Sequence, residues 1–224
     1  MKGLPQLVIL DGPGALCSSK VAGFDIDWTI IKTKSGRKFP TGLKDWEFLH
    51  DCVPAKLKEL HDGGTKVVFF TNQAGIEKQK ITIKELGTKF EAIINAIGVP
   101  IQVFMCTGNS HYRKPSVEMW QYMETHCNGG VKINRETSLY VGDAAGRAKN
   151  WAPGRSKDFS SADRMFAANI GVQFHTPEEF FLGEPEAEFE WKSFNPRAYL
   201  ESLSGLKPPQ HLHSDVSCVN GCSK

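Results

Sequence analysis

Apolar residues in this chain gather into short, near-continuous runs, and the stretches between them carry helical periodicity. Val21–Phe24, Lys66–Phe70 (KVVFF), Ile101–Met105 (IQVFM) and Ser138–Val141 (SLYV) each predict a strand covered on both faces. Gly171–Phe174 predicts a fifth. Pro54 suits the first turn of a helix carrying Leu57 and Leu60, which Gly63-Gly64 stops. Thr82-x-x-Glu85 is a capping box, and Leu86, Phe90, Ile93, Ile94 and Ile97 then line one helical face up to Gly98. Ser116 caps a third predicted helix with Met119, Trp120 and Met123, and Ser161 starts a fourth through Met165 and Phe166. Thr176-Pro177-Glu178-Glu179 combines a cap, a first-turn proline and acids, as a further helix start does. Alternating strands and helices predict an α/β fold: a Rossmann-like, mostly parallel sheet with helices on both faces. Residues 1–18 are weakly patterned, with a turn at Gly12-Pro13-Gly14. The end of the chain is rich in Pro, Ser, His and Gly. The expected organisation is an N-terminal segment 1–18, one domain over 19–200 and a disordered tail over 201–224.

Length and composition fit one such domain. The 224 residues are 40% hydrophobic, enough for a sizeable core, and a net charge of +2 neither demands nor excludes a nucleic-acid partner. The six cysteines, at 17, 52, 106, 127, 218 and 222, are scattered and read as thiols in a reducing compartment. No stretch approaches the roughly 20 apolar residues that span a bilayer. Leu7–Leu10 is too short, and too poor in basic flanks, for a secretory signal. The expectation is a soluble intracellular protein.

In open parallel sheets, ligands bind outside the carboxyl ends of the strands. The first strand here runs into Asp25-Ile26-Asp27. Residues two apart on a strand share a face. Two carboxylates 4 Å apart repel by about 1 kcal/mol in water and about 4 kcal/mol at an effective dielectric near 20. A fold keeps such a pair when a cation sits between them or when they divide an acid/base task. The second strand ends in Thr71-Asn72-Gln73 and the fourth in Gly142-Asp143; Arg113-Lys114-Pro115 precedes the third helix. Singly, each reads as a turn residue, a helix-start charge or a cap. Together they describe a phosphate site. Attack of a carboxylate on a phosphate dianion needs cations to cancel repulsion. Asp25 is the expected nucleophile, forming an aspartyl-phosphate, and Asp27 the expected acid and then base. Asp25, Asp27 (through its main-chain carbonyl) and Asp143 are the expected Mg²⁺ ligands. Thr71 and the amide of Asn72 are expected to bind phosphoryl oxygens, with Lys114 neutralising phosphate and nucleophile.

These residues resemble the haloacid dehalogenase superfamily, whose motifs D-x-D-x-T, Thr, Lys and Asp correspond to Asp25, Asp27 and Thr29, then Thr71, Lys114 and Asp143. The stretches FDIDWTIIKTKSGRKFPTG, VVFFTNQAGI, YRKPSVEMW, YVGDAAGRAKNWAPGRSKDFSSADRMFAANIG and FHTPEEFF narrow it. Over about residues 20–182 the chain is similar to the 3′-phosphatase domain of the polynucleotide kinase 3′-phosphatases. The resemblance implies a magnesium-dependent hydrolase without a large cap, acting on 3′-phosphate DNA ends (nicks, gaps, breaks) in the repair of DNA damage in the nucleus. No G-x-x-x-x-G-K-[ST] loop occurs, so 5′-kinase activity is not expected, and no room remains for a forkhead-associated domain. One departure is Trp28, where the superfamily often has Gly. It either lines the substrate path or packs outward on the flap.

The gaps between Thr29 and Thr71 and between Gln73 and Lys114 hold about one helix or hairpin each, which leaves the site open to a macromolecule. Heptose and histidinol bisphosphatases share a T-N-Q-x-G-I stretch but bring a Cys/His zinc loop, of which only Cys106 and His111 occur here. A DNA backbone needs basic groups at the crevice. Arg113 is the first candidate, followed by Lys32, Lys34, Arg37 and Lys38, then Arg147, Arg155 and Lys157. With Thr29 and Asn72, Arg113 and Arg147 complete the expected substrate-binding set. Trp151 either stacks or packs, with packing preferred; Asp158 and Asp163 either add negative charge near the metal or cap the next helix, with capping preferred for Asp163. Besides the DNA 3′-phosphatase, a small-molecule phosphomonoesterase and a non-catalytic DNA-end binder remain open.

Overall fold

The structure, a computed structural model, describes residues 2–4, 6–191 and 196–203. In chain order the elements are β1 (Lys2–Leu4), β2 (Leu7–Leu10), β3 (Val21–Phe24), β4 (Ile31–Lys32), β5 (Glu47–Phe48), α1 (Val53–Asp62), β6 (Lys66–Asn72) and α2 (Ile83–Ile97). There follow β7 (Gln102–Cys106), α3 (Glu118–His126), β8 (Leu139–Val141), α4 (Ala162–Ile170), β9 (Gln173–His175) and a π-helical turn at Glu178–Leu182. Helix α5 (Pro196–Leu203) belongs to a separate unit. No helix among the described residues is long and apolar enough to cross a membrane.

Seven strands form one sheet in the order β1-β2-β7-β6-β3-β8-β9. The five from β7 to β9 are parallel, and β2 joins β7 antiparallel. Period-two alternation sends Ala22, Phe24, Val67 and Phe69 to one face, where they meet Leu57 of α1 and Leu86, Phe90 and Ile93 of α2. Val21, Val68, Phe70 and Tyr140 reach the other face and meet Met119, Trp120 and Met123 of α3 and Phe166 of α4. Both faces are dry, hence the continuous apolar runs. Each fully buried Phe or Leu contributes about 1.5–3 kcal/mol.

Local signals explain the helix ends. Thr82 and Glu85 form the expected capping box, and Gly98 ends α2 at a φ of 82°. Other starts differ. Helix α3 begins at Glu118, with Ser116 bonded to that residue's carboxylate instead of capping the helix. Ser161 stands at the N-cap of α4, but its hydroxyl donates to the Trp191 carbonyl at 2.8 Å. Gly171 caps α4 at a φ of 85°, so the last strand starts at Gln173. The segment 1–18 is the larger difference: β1 and β2 extend the sheet, and Leu7–Leu10 is buried throughout. Four residues are too few to register as a pattern, yet the open edge of β7 recruits them. The expected tail lies outside the described residues from 204 onward.

Candidate active site

Strands β3, β6 and β8 lie side by side and end at the same edge of the sheet. Asp25 continues β3 by one bond, donating its N–H to the Val141 carbonyl at 2.9 Å, which holds it at the seam with β8. The chain then turns sharply. The Ile26 carbonyl accepts from the N–H groups of Thr29, Ile30 and Ile31, and Trp28 N–H donates to the Ile31 carbonyl at 2.7 Å.

Lys114 is the hub. Its buried ammonium donates to Asp25 Oδ1 at 2.6 Å, to Asp163 Oδ1 at 2.7 Å and to the Tyr140 hydroxyl at 2.9 Å. Its main chain is clamped by one side chain: Asn72 Oδ1 accepts from Lys114 N–H at 3.0 Å, and Asn72 Nδ2 donates to the Lys114 carbonyl at 3.2 Å. Asp163 comes from the first turn of α4, over a residue with no side chain. A Cβ on Gly142 would lie 2.5 Å from the Asp163 Cβ. Asp143 is held by its N–H, which donates to the buried Thr29 hydroxyl at 3.0 Å. On the outer side, Gln73 Nε2 donates both to Thr71 Oγ1 at 2.8 Å and to Asp27 Oδ2 at 3.0 Å, so one amide joins the hydroxyl to the half-exposed carboxylate. Lys89 Nζ stands 3.5 Å from Asp27 Oδ1.

Carboxylate oxygens of Asp25, Asp143 and Asp163 lie within 4.8 Å of one another. At that distance each ionised pair repels by about 3.5 kcal/mol at an effective dielectric near 20. Burial pushes the Asp25 carboxyl up to about 7; Lys114 opposes the rise and Asp163 adds to it. Burial, then the charges of Asp25 and Asp163, raise Asp143 well above the carboxylate range. Burial alone would lower Lys114, but Asp163 and Asp25 outweigh it and hold the ammonium above its ordinary value. One ammonium against three carboxylates leaves a charge deficit. The donor set, all hard oxygens, fits a divalent cation of the magnesium type.

Of the expected residues, Asp25, Lys114 and Asp143 converge directly, and Asp27 and Thr71 join them through Gln73. Three expectations change. Thr29 is buried and positions Asp143, so it does not face substrate. Arg147 is also buried, paired with Asp158 at 2.8 Å and Glu178 at 2.8 Å, with its guanidinium 3.8 Å from the centre of the Trp151 ring. Its donors brace the loop after β8, and its burial keeps the guanidinium from a DNA backbone. Asp163 is a member of the charged cluster, not a cap. Arg113 is half-buried, with no side-chain hydrogen bond or ion pair among the described residues. Lys32 pairs with Glu47 at 3.5 Å. Tyr140, Gln73 and Lys89 are site residues that the sequence reading assigns no role, and Asp163 takes the metal-side alternative over the cap. Two carried a signal: Lys89 falls on the apolar stripe of Leu86, Phe90 and Ile93, and Asp163 on that of Phe166 and Ala167.

A parallel sheet with a D-x-D, a Thr, a Lys and a late acid at its carboxyl edge places the chain in the class of phosphatases. Its fold is shared by the D,D-heptose 1,7-bisphosphate phosphatase of B. bronchiseptica, solved with magnesium and phosphate, at 17% identity and a TM-score of 0.54 over 75% of this chain and 88% of that one. Residues 20–181 match the polynucleotide kinase 3 phosphatase family, and the chain belongs to it. A 20.8 kDa uncharacterised protein of Autographa californica nuclear polyhedrosis virus is 44% identical over 162 residues, 72% of this chain and 85% of the relative. The bifunctional polynucleotide phosphatase/kinase of Schizosaccharomyces pombe is 37% identical over 191 residues. That match takes in 85% of this chain but only 44% of the yeast protein.

Proposed function

We propose that this protein is a Mg²⁺-dependent phosphatase that removes 3′-phosphate from DNA ends through an aspartyl-phosphate, in nuclear strand-break repair. The observation that carries the reading is the buried contact of 2.6 Å between Lys114 and Asp25, set among Asp143, Asp163 and Thr71 at one sheet edge. Asp25 attacks phosphorus, so a bond forms from its carboxylate oxygen as the bond from phosphorus to the 3′-oxygen breaks. Asp27, reachable from solvent beside Thr71, gives the leaving oxygen its proton and afterwards takes one from the water that cleaves the acyl-phosphate. Lys114 and the Thr71 hydroxyl hold the phosphoryl oxygens. Asp25 and Asp143 would hold the magnesium with Asp163 beside them, and the ion would supply charge neutralisation between nucleophile and phosphate.

Two observations favour a polynucleotide over a small metabolite. The loop between β4 and β5, residues 33–46, contains no helix or strand that could build a cap. Phe39 on it and Phe159 after β8 are 73% and 85% exposed, with Lys38 Nζ at 5.9 and 5.4 Å from their ring centres. Exposed rings beside a cation suit unpaired bases and their backbone. The name of the yeast relative points the same way. The test is phosphate release from a nicked duplex bearing a 3′-phosphate, with Mg²⁺ and with EDTA, against a panel of sugar phosphates. Magnesium-dependent release from the nick supports the proposal. Turnover of sugar phosphates alone makes the protein a metabolite phosphatase, and no turnover of any ester by folded protein makes it a binder.

A further inference from the structure

We infer that Trp28 sets specificity at this site, its indole serving as a stacking platform for the nucleoside that carries the 3′-phosphate. The inference rests on the phosphatase reading above and adds which part of the substrate the protein grips. Trp28 has a φ of 62°, in the left-handed region. Glycine adopts that conformation without strain, whereas a bulky L-residue there is an outlier. Three other non-glycine residues share it among those described, Gln6, Gln79 and Asn150, and all are polar. Trp28 alone puts a large apolar side chain in this strained position.

The strain is held in place by the surrounding bonds. Ile26 and Ile31 close the turn through four main-chain hydrogen bonds, and the next residue, Thr29, is buried and tied to Asp143. These bonds fix the backbone from which the indole is carried. It is 39% exposed, and among the described residues it has no aromatic or cationic partner and its N–H no acceptor. Its neighbour in the chain is Asp27, the group placed to protonate the 3′-oxygen. The substrate atoms beyond that oxygen are the sugar and base of the terminal nucleoside, and Trp28, next in the chain to Asp27, is the exposed aromatic residue adjoining that group. Every base offers a π face, so such a contact grips any terminal nucleoside without reading sequence. Strain retained at a functional turn is the pattern expected where the side chain is needed.

The rival explanation is packing alone, in which case removing the ring harms every substrate and the fold alike. The experiment compares wild type, Trp28→Gly and Trp28→Phe. Equilibrium affinity is measured for a 5′-labelled deoxyoligonucleotide with a 3′-hydroxyl. Both kcat and KM are measured for the 3′-phosphorylated oligonucleotide and for glycerol phosphate, an ester with no ring to stack, and Tm is recorded. For Trp28→Gly we expect oligonucleotide affinity to fall and KM to rise by about tenfold. Its kcat/KM on glycerol phosphate stays within about twofold, its Tm is undiminished, and Trp28→Phe recovers most of the oligonucleotide affinity. Equal losses on both substrates, or unchanged oligonucleotide affinity, overturn the assignment. If wild type hydrolyses neither ester, the phosphatase reading fails, and the binding measurement still decides the role of Trp28.

Discussion

Removing divalent metal should make the stability of this protein fall as pH rises, and Asp25 gives the size of the effect. Its carboxyl is pushed up to about 7 in the folded, metal-free site from an ordinary 3.8, first by burial and then by Asp163, against the pull of Lys114. A folded-state value above the unfolded one means that the folded protein binds the extra proton. The contribution is therefore complete below about pH 4 and is lost as pH rises through 7. Three units correspond to about 4 kcal/mol. For a domain of this size that is on the order of 10 °C in Tm. The assay is thermal unfolding in EDTA between pH 4.5 and 8, for wild type and for Asp25→Asn. The two should melt alike at the acid end, and the Asn variant should melt higher at pH 8, where wild type must bury an extra negative charge. Saturating Mg²⁺ neutralises that charge, so its stabilisation of wild type should be several-fold greater at pH 8 than at pH 5. Parallel pH profiles for the two proteins in EDTA, or an equal Mg²⁺ increment at both pH values, would refute the account of the site as a charge-deficient cluster.

Lys114→Met should cost about 3–5 kcal/mol and abolish turnover, because it leaves Asp25 and Asp163 buried without a counter-charge; denaturant unfolding and phosphate release measure the two losses. Gly142→Ala should drop kcat at least tenfold with folding retained, since its methyl would displace Asp163 from Lys114; an unchanged rate would mean that Asp163 is dispensable. Asp158→Asn should lower stability by about 2–3 kcal/mol by weakening the charged bonds to Arg147. It should leave the salt dependence of oligonucleotide KM as in wild type, and a changed salt slope would return Arg147 to the DNA interface.

The parallel sheet was legible because burying both faces imposes a composition: KVVFF and IQVFM could hardly be anything else between helices. The reacting edge was legible for a related reason, since polar residues that abruptly end such runs must lie at strand ends. What sequence did not give was the side-chain direction of charged residues inside helices and loops. Arg147 looked like a surface cation, but Asp158 and Glu178 approach it from 11 and 31 residues away, a pairing that no local pattern announces. Asp163 has the position and chemistry of a helix cap, and only the bare Gly142 across the gap lets it reach Lys114 instead. The β2 strand is not legible in sequence because its four residues are defined by the edge of β7 and by no periodicity of their own. These misses share a cause. Strand ends are specified locally, whereas a buried ion pair is specified by two distant segments at once, and a single carboxylate or guanidinium reads as solvated until its partner is in view. The practical sign is a charge on an apolar helical stripe, as at Lys89 and Asp163: burial without a partner costs too much to be tolerated, so such a residue already implies an opposite charge elsewhere in the chain, and in this fold the place where those charges meet is the site.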